Sequence, residues 1–201
     1  MRRFLAKVVI LLLLATVAGG ALFLWRSPDP MYAAQARLNG FRFSAYDSLI
    51  LETARRHGVD PMLVKAIVWR ESGFHPDKTG TSGERGLMQV TKAAAADWVR
   101  AEKIETFVPT DLFDPHTNLE VGVWYLRQAL DRWKDRDDPT RFALAEYNAG
   151  RSRVDRWLAA TGRGDQATSE HLVQSIDFPS TRKYIEDITR RHRFYHKRGR
   201  L

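Results

Sequence analysis

The sequence predicts a mainly α fold, one helical domain with at most a short β-hairpin, preceded by a separate apolar helix. Three observations carry that prediction. Apolar residues recur at three- and four-residue spacing through most of the chain after residue 44. Helix-start signals recur, with Asp60-Pro61, Asp114-Pro115 and Pro139-Thr140 each placing proline at or near a first helical turn. The stretch from Pro76 to Gly86 is too rich in Gly, Thr and Ser for helix, and it is where a small hairpin fits.

Residues 8–25 form an uncharged apolar run behind Arg2, Arg3 and Lys7. As a helix the run reaches roughly 27 Å, close to the thickness of a bilayer's hydrocarbon core. Basic residues before it favour a cytoplasmic amino terminus and export of the downstream chain, with Trp25 at the outer interface. The expectation is a single-pass anchor in the cytoplasmic (inner) membrane, residues 1–26, with the domain facing the periplasm. The alternative is a signal sequence cut near Ala18, Gly19, Gly20 and Ala21, which would leave a periplasmic protein. Residues 27–43, with Pro28, Pro30 and Gly40, read as a tether.

The domain is expected over 44–190. Ser44 and Asp47 suggest a capped first helix running to His57, with Gly58 as the stop. Asp60-Pro61 starts a second, with Val64, Ile67, Val68 and Glu71 on one stripe and Gly73 at its end. Thr91 caps a third, to Glu102. Asp114-Pro115 opens a fourth, with Leu119, Val123, Leu126 and Leu130 as its apolar stripe through Trp133. Pro139-Thr140 opens one ending near Gly150, and Ser152 caps a short one to Ala160. Pro179-Ser180 precedes a final helix of about fourteen residues, followed by a basic tail over 191–201.

The net charge is +8, but residues 1–26 hold +4 and residues 182–201 hold +6, leaving −2 for the body. The body therefore lacks the electrostatic footprint of a nucleic-acid binder. Cysteine is absent, which excludes disulfides, thiol nucleophiles and thiolate metal sites. His192 and His196 sit four apart, a spacing that binds metal on a helix, but no third ligand is evident nearby and the surrounding Arg and Lys oppose a cation. Asp131, Asp135, Asp137 and Asp138 lack the glycine of a calcium loop and read as a solvated turn. No cofactor or metal is expected.

Glu71 stands out chemically. A carboxyl on the buried side of a helix, at its carboxyl end, is partly desolvated and faces the negative end of the helix dipole. Both effects raise its proton affinity, which is the profile of a general acid working near neutral pH. Glu71-Ser72 is followed by Gly86-Leu87-Met88-Gln89, Tyr147-Asn148-Ala149-Gly150 and Phe178-Pro179-Ser180-Thr181-Arg182-Lys183-Tyr184. Gln89 and Asn148 offer amides, Tyr147 a phenol and Met88 a soft apolar surface, groups suited to a saccharide cleft.

These four strings, in this order and at this spacing, resemble a lytic transglycosylase domain of the lysozyme-like superfamily over roughly residues 44–190. Asp114-Pro115 with Asn118, Gly122, Tyr125 and Leu126 adds to the resemblance. It implies a lysozyme-like (goose-lysozyme-like) domain that cuts the β-1,4 bond between N-acetylmuramic acid and N-acetylglucosamine in peptidoglycan without water. It implies that Glu71 is the single acid/base, and that the product ends in a 1,6-anhydro ring. Ser72, Met88, Gln89, Tyr147 and Asn148 are implied to line the substrate cleft, with Arg182 and Tyr184 supporting its wall. Glycan strands and the membrane are the implied partners, with cell-wall or secretion machinery beyond them.

The sequence departs from the family's usual small residues at Glu84 and Glu146. An extra carboxylate at Glu84, or at Asp77 in the same loop, would support a water nucleophile and make the protein a lysozyme-like hydrolase. A wall-binding scaffold without turnover is the other alternative.

Overall fold

In the computed structural model, residues 2–26, 34, 40–199 and 201 are described, the side chains of 2–8, 21 and 23–26 excepted. The described residues fall into two compact units, one ending at Ser44 and one running from Ala45 to Leu201. In the first, α1 spans Arg2–Arg26 and α2 spans Gly40–Ser44. Most of the expected tether lies outside the described residues; its last positions, from Gly40, are helical. Val9 to Leu14, Val17 and Leu22 of α1 are exposed. Among the described residues no helix is long and apolar enough to cross a membrane, so the expected span is not established by the structure.

The second unit is helical: α3 (Asp47–Arg56), α4 (Pro61–Ser72), α5 (Lys92–Ala101), α6 (Pro115–Arg132), α7 (Pro139–Ala149), α8 (Arg151–Ala160), α9 (Ser169–Ser175) and α10 (Pro179–Arg198). Short 3-10 turns at Pro109–Phe113 and Gly164–Gln166 complete it. No strand forms among the described residues. The hairpin expected between Pro76 and Gly86 is reduced to two isolated bridges, Thr79 with Arg85 and Arg85 with Val90.

Helices α3 and α10 pack against α4, α6 against α3 and α7, and α7 also against α8, α9 and α10. Leu63, Val64, Ala66, Ile67 and Val68 are buried at successive positions, so α4 is enclosed on most faces and not along one stripe. Its start follows the sequence signal: Asp60 Oδ1 accepts the Met62 amide at 2.9 Å, with Pro61 in the first turn. A side-chain cap of this kind is worth about 1 kcal/mol. At the other end Gly73 takes φ +60° and Phe74 φ +66°, which turns the chain sharply out of the helix.

Several boundaries differ from expectation. Ser44 does not cap α3; its hydroxyl donates to Gly40 O and Phe41 O and closes α2. Ser152 lies inside α8, which starts directly after Gly150. The last helix runs through the residues expected to form a basic tail, because nothing before Gly199 stops it, and it buries Arg191 and Tyr195. The acidic turn is not merely solvated: Asp138 caps α7, and Asp137 accepts the Ser169 amide and hydroxyl at the start of α9.

Candidate active site

Glu71 occupies the last turn of α4 and is partly buried. Its Oε1 accepts the phenol of Tyr184, from α10, at 2.7 Å. Burial pushes its pKa up to about 7, against the lowering effects of the Tyr184 hydrogen bond and the charges of Arg70 and Lys78. The charge of Glu84 adds a smaller upward push. A carboxyl with this value is part protonated at neutral pH, able both to give and to take a proton. The Lys78 ammonium donates to the backbone carbonyl of Glu71 and holds the loop over the end of α4.

Beside the acid lies a cleft of about 300 Å³. Glu84, Gln89, Tyr125, Tyr147, Asn148 and Arg153 are among its lining residues. Glu71 is not one of them; it adjoins the cleft through Tyr147, which feels its charge, and Glu84, whose charge acts on it. Tyr147 donates to Met88 O at 2.9 Å and packs edge-on against Tyr125 with ring centres 5.8 Å apart. Burial first, and then the charge of Glu71, raise the pKa values of Tyr147 and Tyr184 well above 10, so both phenols stay protonated donors.

The expected substrate-contacting residues divide. Gln89, Tyr147 and Asn148 border the cleft. Gln89 does so with backbone φ +48°, its amide nitrogen donating to Lys78 O and Gly86 O. Asn148 Oδ1 accepts the Thr181 hydroxyl at 2.8 Å, which ties the end of α7 to the start of α10. Ser72 and Met88 are placed elsewhere. Ser72 is buried, donating to Val68 O and accepting the Phe74 amide, so it shapes the exit from α4. Met88 is fully buried against Gly122, where a Cβ would come within 2.6 Å of its sulfur.

Tyr184, expected as wall support, touches the acid itself, whereas Arg182 is exposed on α10. Glu84 does face the cleft. Glu146 does not: it is buried, accepting from Trp133 Nε1 at 2.7 Å and Arg132 Nε at 3.2 Å. Asp77 is not among the cleft-lining residues.

Asn118 was legible only as part of a resemblance, yet it builds the loop. Buried on α6, its Oδ1 accepts the Met88 amide at 2.8 Å while its Nδ2 donates to Arg85 O and Leu112 O at 2.8 and 2.7 Å. Gly86 must be glycine beside it, with φ +75° and any Cβ within 2.2 Å of Asn118 Nδ2.

A helical domain with one proton-holding glutamate beside a polar, tyrosine-lined cleft is the arrangement these observations define. Residues 48–169 match the Transglycosylase SLT domain, and the chain belongs to that family. It is 35% identical over 153 residues to the membrane-bound lytic murein transglycosylase F of Desulfosudis oleivorans, covering 74% of this chain and 32% of that protein. It is 31% identical to the soluble lytic murein transglycosylase of Salmonella typhimurium, over 75% of this chain and 23% of that one. The chain thus spans a third or less of the length of these relatives.

Among solved structures, the 70 kDa soluble lytic transglycosylase of Escherichia coli superposes with a TM-score of 0.68 at 28% identity, over 77% of this chain and 24% of that one. Lytic transglycosylase Slt of Pseudomonas aeruginosa, solved as an inactive mutant with glutamate changed to glutamine, gives 0.67 at 25% identity, over 77% and 24%. These similarities place the helical domain in the lysozyme-like architecture expected from its motifs.

Proposed function

We propose that this protein is a murein lytic transglycosylase that cleaves the bond between N-acetylmuramic acid and N-acetylglucosamine, with Glu71 as both acid and base. The observation that carries the reading is the Glu71 carboxyl itself, held near a pKa of 7 by burial, hydrogen-bonded to Tyr184 and adjoining a cleft bordered by Gln89, Tyr147 and Asn148. An inactivating glutamate-to-glutamine change in a solved relative supports it.

In the proposed reaction protonated Glu71 gives its hydrogen to the glycosidic oxygen, and the C1–O bond breaks. The substrate's N-acetyl carbonyl oxygen bonds to C1 and takes up the positive charge. Ionised Glu71 then removes the proton of the 6-hydroxyl, and O6 displaces the acetyl oxygen at C1 to close the 1,6-anhydro ring. One carboxyl suffices because the substrate supplies the nucleophile.

Purified sacculi digested with the protein should release fragments ending in 1,6-anhydro-muramic acid by mass spectrometry. Fragments with reducing ends alone would overturn the lyase reading. They would favour the second one, a hydrolase in which Glu84, the other carboxylate on the cleft, holds a water. Sedimentation with the wall and no released fragments would leave a binding scaffold.

We also infer from the sequence that residues 8–25 anchor the protein in the cytoplasmic membrane with the domain outside. The exposed apolar side chains of α1 and the absence of charge across the run support this. Removal of residues 1–26 should move the protein from the carbonate-washed membrane pellet to the soluble fraction. An unchanged distribution would overturn the anchor.

A further inference from the structure

On α10, His192 and His196 stand four residues apart, so both imidazoles share one face of the helix. That face meets the amino terminus of α4, where Asp60 stands. The Nε2 atoms of His192 and His196 each lie 2.6 Å from Asp60 Oδ2 and 3.0 Å from each other. The other carboxylate oxygen, Oδ1, accepts the Met62 amide and fixes the group in place.

Protons serve this triangle poorly. An N–H is directed at one acceptor, so three mutual contacts among two ring nitrogens and one oxygen cannot all be good hydrogen bonds. If both rings donate to Oδ2, two N–H groups crowd each other at 3.0 Å; if one ring donates to the other, Oδ2 loses a donor. A single divalent cation would accept all three lone pairs at once. Two imidazoles and a carboxylate are donors that zinc takes readily, and three protein ligands leave a fourth position for water.

We propose that Asp60, His192 and His196 form a zinc site that staples the amino terminus of α4 to the carboxyl half of α10. Bond lengths near 2.0–2.2 Å in a tetrahedral site set the donors roughly 3.3 Å apart, so the three atoms separate by about half an ångström on binding. The Asp60 and His196 side chains are 33% and 54% exposed, which gives the ion and its water a route in. The neighbouring cations of α10 have other settings: Arg191 lies over the Trp69 ring at 4.3 Å, Arg193 donates to Thr189 O, Arg198 lies over Phe194 at 4.5 Å, and Lys197 is exposed to solvent.

Asp60 and Glu71 stand at opposite ends of α4, roughly 16 Å apart along its axis. The ion therefore takes no part in glycan chemistry. Its role is to fix α4 and α10 together, the two helices that bring Glu71 and Tyr184 into contact.

The test uses the full chain, stripped with a chelator and titrated with zinc chloride at pH 7.5 by calorimetry and thermal unfolding. One equivalent should bind, and at a free zinc concentration 100 times the Kd the folding equilibrium constant should rise about 100-fold, seen as a higher Tm. Cobalt in place of zinc should give the intense visible absorption of a four-coordinate ion. His192→Ala and His196→Ala should each remove the Tm rise, while His116→Ala, an exposed histidine on α6, should keep it. Asp60→Asn retains the oxygen that caps Met62 and should still lose zinc binding, which separates ligation from folding. No stoichiometric binding to the unaltered chain, or a Tm rise that survives both histidine changes, would overturn the site and leave a hydrogen-bonded cluster.

Discussion

The phenol of Tyr184 donates to Oε1 of Glu71 at 2.7 Å, across 113 residues of sequence. Burial drives the carboxyl toward its neutral form, and this bond, which favours the anion, restrains the drive. The balance near 7 leaves the carboxyl part protonated at neutral pH, as the proposed acid and base roles require.

Glu71→Gln should lower the cleavage rate by at least about 10³-fold, since both proton transfers are lost, and leave the circular dichroism spectrum unchanged. Soluble fragment release from sacculi gives the rate.

The same substitution carries a pH signature in stability. The folded pKa, about 7, lies above the ordinary glutamate value of 4.5, so the folded state binds the proton more tightly. Stability associated with this group is full below about 4.5 and is lost as pH rises through about 7, by up to about 3 kcal/mol. Glu71→Gln abolishes this dependence, so its Tm should gain on that of the unaltered protein between pH 4.5 and 8.

Tyr184→Phe removes the donor that favours the anion, so the Glu71 pKa should rise by about one unit, the scale of a hydrogen bond to a charged group. The alkaline limb of kcat/KM should move upward with it. A fall in rate with an unmoved limb would show that Tyr184 only packs.

Asn118→Ala removes the side-chain partner of the Met88 amide and of the Leu112 carbonyl, while the Arg85 carbonyl keeps only the Val90 amide. The cost should be at least about 3 kcal/mol, with the cleft loop losing protection from hydrogen exchange before the helices do. Asn118→Asp keeps the acceptor for Met88 and should recover only part of the loss.

Lys65 is buried on α4 with its ammonium 2.6 Å from Asp47 Oδ1. Asp47→Ala strands that charge and should destabilise the domain by about 3–5 kcal/mol in urea unfolding. Lys65→Met added to it should restore most of the stability, because the charge has then gone as well.

Much of the fold was legible because its signals are local. Asp60, Thr91 and Asp114 cap helices where the sequence placed them, and Gly73 ends α4 in the left-handed conformation that glycine favours. The errors came where one residue has two local readings. Ser44 and Ser152 look like caps, but one closes the helix before it and the other lies within a helix begun at Gly150. α9 was missed because its start depends on Thr168 bonding His171 and on Asp137, an acid read as solvated.

The candidate site was legible in its acid and less so in its surroundings. Ser72 and Met88 belong to motif strings, yet the strings also encode loop geometry, and these two residues hold backbone and core. Nothing near Tyr184 in sequence announces that it meets Glu71, and nothing near His192 announces Asp60, 132 positions away. Such contacts arise from the packing of α10 on α4, which no short window of residues contains.

Because α10 is one unbroken rod from Pro179 to Arg198, Tyr184 and the distal turn are parts of the same rigid element. Tyr184 and His196 are separated by about 18 Å along the axis, so pivoting the rod by about 5° at the distal end sweeps the phenol through roughly 1.5 Å, enough to part it from its carboxyl. A tilt imposed at the turn near Arg198 would therefore reach the Glu71–Tyr184 contact without anything entering the groove.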